Sequence, residues 1–210
     1  MISHKELMDL YNKLFDEAVK EGINEFLRQD FDNKDEKYKT DMLWEIDALI
    51  GGVGGYCLPS SSSNNPYPAG MERELYRPLQ YTKEEIDLGY GRVNARYIID
   101  MCGMHLEAAC RLLVMNSVLD EFRFSNCTLG KAVHRIEKKK LLDGNVIQAL
   151  YDFVQIYNRS KHEVNQDETR ERLFSTDDAI VVYFATRILG VSILQKLRRE
   201  ESFKVYDIYD

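Results

Sequence analysis

Late in the chain, the stretch LYDFVQIYNRSKHEV from Leu150 to Val164 gathers Asn158, Arg159, Lys161 and His162 within five positions. These are side chains that a phosphate-handling site uses. An ordinary imidazole titrates near ~6.5, so it can take or give a proton at neutral pH, an assistance worth roughly 100- to 10,000-fold in a transfer step. A guanidinium grips phosphate oxygens bidentately and stabilises the charge that gathers on them. On this reading His162 is the acid–base group, Arg159 the clamp and Lys161 a mobile second cation. Asn158 would orient the imidazole or the phosphate.

The element that must position them is a helix. Leu150, Phe153, Val154 and Tyr157 follow the three-and-four spacing of a buried stripe, and Val146 and Ile147 extend it backward. At ~100° per residue, Arg159 falls opposite the stripe, His162 roughly 120° from its centre, and Lys161 close to it. Arg159 and His162 are three apart and share one face. The same cations also have a structural reading: at a helix C-terminus the dipole stabilises each by about 0.3–1 kcal/mol, and Glu163 can pair back to Arg159.

A second concentration of positive charge lies in TLGKAVHRIEKKKLL, which opens at Thr128 after the turn residues Ser125 and Asn126. Lys131, Arg135 and Lys138 line one helical face, His134 stands beside them, and the run ends in Lys138 to Lys140. This is a candidate phosphate- or RNA-binding stripe. Its plain alternative is a solvated helix end whose lysines suit the C-terminal dipole. Asp143 is placed to cap the helix that follows.

Composition bounds the function. The 210 residues are 44% hydrophobic and 30% charged, enough for one domain with one substantial core. A net charge of -7 excludes coating nucleic acid by bulk charge, so any phosphate contact must rest on a local patch. No apolar run approaches eighteen residues, and MISHKELMDL has no signal-peptide pattern, so a cytoplasmic protein without membrane contact is expected. Cys57, Cys102, Cys110 and Cys127 form no CxxC pair and read as reduced core thiols. His105, with Met101, Cys102 and Met104 around it, reads as a core histidine, because adjacent helical residues radiate and cannot all face one ion. No metal and no cofactor are expected.

The remaining elements follow from periodicity and breakers. Residues 1–56 hold two N-terminal helices: one amphipathic from Ile2 to about Arg28, then, after a polar run, one carrying Met42, Leu43, Trp44, Ile46, Leu49 and Ile50. Gly51 to Gly70 holds five of the twelve glycines and three of the four prolines, and no GK[ST] follows. It reads as a flexible connector rather than a phosphate cradle, and the loop that follows the N-terminal helices is bounded at 57–81. TKEE at Thr82 looks like a capping box opening a long helix toward Phe124, with Gly89, Gly91 and Gly103 as marks of a break or a close crossing. NQDETRERL is a polar connector, Ser175 to Asp178 start a buried helix over Ala179 to Leu197, and 201–210 is a tail. The fold class is all-α: an up-down helical bundle with a long flexible loop between the second and third helices, its main body over 82–200.

Four pieces, LEAACRLL from Leu106, TLGKAVHRIE from Thr128, YNRSKHE from Tyr157 and FSTDDAIVVYFATRILG from Phe174, resemble in order and spacing the helices of the HEPN superfamily. These are helical domains of prokaryotic toxin, abortive-infection and RNA-processing systems. The resemblance implies a homodimer paired through the helix that carries the arginine and histidine, and metal-independent cleavage of RNA in active members. The family's arginine stands further from its histidine than here, where two residues separate Arg159 from His162 and Asn158 precedes the arginine.

Three functions are therefore carried forward. The first is binding of RNA or a nucleotide phosphate through Asn158, Arg159, Lys161 and His162, with Lys131, Arg135 and Lys138 as a second surface, in a defence or toxin–antitoxin-like setting. The second is a metal-independent endoribonuclease with His162 and Arg159 as catalytic residues. The third is a helical scaffold for a protein partner at the 51–70 loop.

Overall fold

The N-terminal amphipathic stretch divides at Asp16, whose carboxylate accepts the Val19 amide at 2.9 Å and so starts a new helix. Two helices therefore stand where one was expected: α1 (Lys5–Leu14) and α2 (Glu17–Arg28), with the buried Phe15 extended between them. The computed structural model describes residues 4–29, 36–50, 71–88, 94–117, 126–162 and 174–198. Among them all regular structure is helical, as the sequence predicts: α3 (Glu36–Ile50), α4 (Met71–Leu88), α5 (Ala95–Ser117), α6 (Leu129–Lys139), α7 (Gly144–His162) and α8 (Thr176–Arg198) complete an all-α bundle. The 51–70 loop, Cys57, Glu163, the 165–173 connector and the 201–210 tail lie outside the described residues.

The TKEE pattern does not start a helix. α4 begins at Met71, inside the stretch expected as loop, and Thr82 sits within it, buried, its hydroxyl donating to the Pro78 carbonyl at 2.8 Å. A proline inside a helix removes one donor, yet Leu75, Leu79, Thr82 and Ile86 hold one buried face across it. Packing overrides the local signal. The long helix expected toward Phe124 is accordingly two elements, α4 and α5, and α5 starts where Asn94 Oδ1 accepts the Tyr97 amide at 3.1 Å.

α5 is the hub, packed against α8, α4, α6 and α7. Gly103 marks a close crossing: a Cβ there would overlap the ring of Tyr157 on α7. α6 starts at Thr128 as predicted, although the Thr128 side chain makes no cap bond. Glu107 of α5 accepts the Leu129 amide at 2.8 Å instead, while Arg111 holds the same carboxylate at 2.5 Å. The Ser175 start of α8 is a reciprocal box: Ser175 Oγ accepts the Asp178 amide at 3.1 Å and Asp178 accepts the Ser175 amide at 2.8 Å. By length and composition α8 could cross a membrane, but 72% of that window is buried in the bundle, as in the core helix of a globular fold.

The core encloses charge. Arg187 of α8 donates from Nε to Asp47 of α3 at 3.0 Å, neither side chain having any exposed surface, and the Tyr183 hydroxyl donates to the same carboxylate at 3.3 Å. His105 is also fully buried and donates from Nδ1 to the Leu75 carbonyl at 2.8 Å. Burial, and then the Arg187 charge, push its pKa down to about 4 against the bond to Leu75, so it is neutral at pH 7. Cys102, Cys110 and Cys127 are buried, and burial pushes the Cys102 thiol up to about 12.

Two outcomes test this core. Asp47→Asn leaves the guanidinium uncompensated and should cost about 3–5 kcal/mol in urea unfolding, with Asp47→Leu/Arg187→Met recovering most of it. His105 binds a proton more readily when unfolded, so its contribution falls away as pH drops from 6.5 toward about 4. Over that window the loss should reach about 3 kcal/mol and be correspondingly smaller in His105→Gln, measured by denaturant melts across the pH series.

Candidate functional site

Helix α7 carries the predicted residues on its last turn, and two neighbours fix that turn in space. On one side α5 runs past it: the Ser160 hydroxyl, buried, donates to Asp100 at 2.6 Å, and Arg96 Nη2 donates to the Lys161 carbonyl at 2.9 Å. The arginine thus satisfies a carbonyl that the helix end would leave open. On the other side α1 lies antiparallel. Lys13 pairs with Asp152 at 2.5 Å and Glu6 with Arg159 at 3.5 Å, two ion pairs seven residues apart on each helix. Seven residues are two turns, so the pairs set one register.

Arg159 is consequently not directed into open solvent. On α7 alone it stands opposite the buried stripe, as the helical spacing predicts, but α1 covers that side. Its side chain keeps 30% exposure, and its Nη1 reaches Glu6 and also His4 Nδ1 at 3.3 Å. A guanidinium only donates, so His4 Nδ1 is the acceptor in this contact. Phe174 packs against that ring, centroids 4.7 Å apart. Asn158, Lys161 and His162 are exposed. The Lys161 ammonium stands 3.7 Å above the Tyr157 ring, matching its expected place near the stripe. His162 has no partner among the described residues and is open to solvent.

The second basic surface is not brought to the first. Lys131 and Lys138 are exposed on α6 and Arg135 is half-buried between them. His134 lies 3.8 Å from Glu137, which also accepts the Tyr151 hydroxyl at 2.6 Å. Lys140, in the left-handed conformation at φ 54, ends α6 and turns the chain back toward Gly144. Lys138 therefore sits at the start of α7, about 27 Å along the axis from His162 at 1.5 Å per residue. A Cβ at Gly130 would stand 3.6 Å from the Val154 side chain, so Lys131 is the member of the stripe nearer the α7 end, by roughly half that length. No cluster of three or more His, Cys, Asp or Glu able to hold a metal occurs among the described residues.

Sequence reading missed His4, Glu6, Arg96, Asp100 and Ser160. Ser160 continues the stripe of Phe153 and Tyr157 at the same spacing and was legible as buried. Nothing local ties His4 or Glu6 to a residue more than 150 positions away. Neither a family profile, a curated protein nor a solved structure matches the chain.

The arrangement predicts an asymmetry in stability. Ser160→Ala strands the Asp100 carboxylate beside a buried turn and should cost about 1–2 kcal/mol. Arg159→Ala removes partly exposed contacts, the Glu6 pair among them, and should cost less than about 1 kcal/mol. Thermal unfolding of the two variants compares them directly.

Proposed function

We propose that the last turn of α7 binds the phosphate groups of RNA or of a nucleotide, with Asn158, Lys161 and His162 as the contacting face and Arg159 as the cation anchored behind it. The observation that carries this reading is the combination at one helix end: an arginine oriented by Glu6 and His4, beside a histidine and a lysine that stand exposed. In a chain of net charge -7, local placement of cations is what phosphate recognition requires. The resemblance to HEPN domains supports the same end of the same helix, and pairing two copies there would double the charge in one groove. Lys131, Arg135 and Lys138 stand apart from this face, along α6.

The ribonuclease reading needs more of the same residues. His162 is accessible for proton transfer and Arg159 is within one turn of it, but the guanidinium is engaged by a carboxylate that a phosphate would have to displace. Binding is thus the reading the geometry supports best.

The test is direct. Binding of a fluorescent single-stranded RNA should weaken steeply with salt, and Lys161→Ala should lower the slope of log K against log salt by about one. Lys161→Ala/His162→Ala should lose most of the affinity, and Lys138→Ala little. Cleavage in EDTA that disappears in His162→Ala and Arg159→Ala would promote the enzyme reading over simple binding.

A further inference from the structure

We infer that Arg96 of α5, not Arg159, is the guanidinium that grips a bound RNA strand, and that it does so together with Lys161 on successive phosphodiesters. The inference rests on the binding reading above and adds to it a residue from another helix.

Two guanidiniums reach the last turn of α7 from different sides, and they are engaged differently. Arg159 pairs with the Glu6 carboxylate at 3.5 Å, so an anion already answers its charge. Arg96 donates from Nη2 to the Lys161 carbonyl at 2.9 Å, a neutral acceptor that leaves the charge whole. It is exposed, and among the described residues it meets no carboxylate. Two carboxylates stand along the first turns of α5, and each has another partner. Asp100 accepts the Ser160 hydroxyl at 2.6 Å, and Glu85 of α4 accepts the Asn94 amide at 3.1 Å.

One hydrogen of the Arg96 guanidinium goes to the carbonyl, and the others include one complete two-pronged edge. That edge matches two oxygens of a phosphate. The bond to the carbonyl also holds the planar group against the helix end, so less side-chain freedom is lost when a phosphate arrives. Lys161 is held on the same seam between α5 and α7. Its ammonium stands 3.7 Å above the Tyr157 ring, and that ring lies across Gly103 of α5. Gly103 and Arg96 are about 10 Å apart along the helix axis. Two cations spread along such a seam suit neighbouring phosphates of a strand, whereas a mononucleotide would meet one of them.

A fluorescent uridine oligonucleotide and uridine monophosphate are the probes, with the full chain throughout. Arg96→Gln, which removes the charge and keeps a polar amide, should lower oligonucleotide affinity about tenfold and reduce the slope of log K against log salt by roughly 0.7 to 1. Arg96→Lys keeps the charge and loses the fork, so it should retain the slope and lose affinity a few-fold. Arg159→Gln should cost less affinity than Arg96→Gln. The oligonucleotide should bind at least about tenfold more tightly than the monophosphate. Parent-like affinity in Arg96→Gln overturns the inference and leaves the binding reading intact. So does weaker binding with the parent's salt slope, which would mark Arg96 as a cap of α7 and nothing more, or a greater loss in Arg159→Gln. Equal affinity for the two probes overturns the assignment to a strand. Absence of oligonucleotide binding by the parent at low salt overturns both readings.

Discussion

The contact between Asp47 and Arg187 constrains this fold more than any other. Taking either charge out of water alone costs several kcal/mol, so each side chain can be buried only if the other is already aligned with it. The pair joins α3 to α8, and Tyr183 and the neutral His105 are arranged around it. A bundle held solely by apolar stripes could slide by a turn at small cost. This one cannot, because a one-turn slip between α3 and α8 would leave two opposite charges buried apart.

The same logic, in weaker form, reaches the surface. Glu107 closes the start of α6 and Arg111 holds Glu107, so the α6–α7 hairpin is attached to α5 by charge as well as by packing. Arg96 and Asp100 attach the other end of α7, and the two ion pairs to α1 complete the frame. The candidate site is thus a place where α1, α5 and α7 meet, not the end of a free helix. What one helix would offer to solvent on all sides is narrowed here to Asn158, Lys161 and His162.

Most of the helices were legible because their apolar positions recur at helical spacing, and the start of α8 was legible because Ser175 and Asp178 stand in capping order. The start of α4 was not. Thr82 and Glu85 imitate a cap, and only the burial of Leu75 and Leu79 on the other helices shows that the chain is already helical through Pro78. Arg187 lies at helical spacing from Ile180, Tyr183 and Phe184, but a charge on a buried face becomes readable only once its partner is known, and Asp47 is 140 positions distant. The candidate site divides the same way. Asn158, Lys161 and His162 could be placed from periodicity alone. The covering of Arg159 by α1 depends on tertiary packing that no local pattern records.

The slot at Gly103 has a consequence for the phase of α7. An aromatic ring seated where a side chain is missing acts as a key: it prevents the helix from rolling about its long axis without first lifting away from α5. Tyr157 stands two residues before Arg159, so that key fixes the azimuth at which the terminal turn presents its polar side chains. The direction in which the histidine and lysine face is therefore decided by an absent methyl group on another helix.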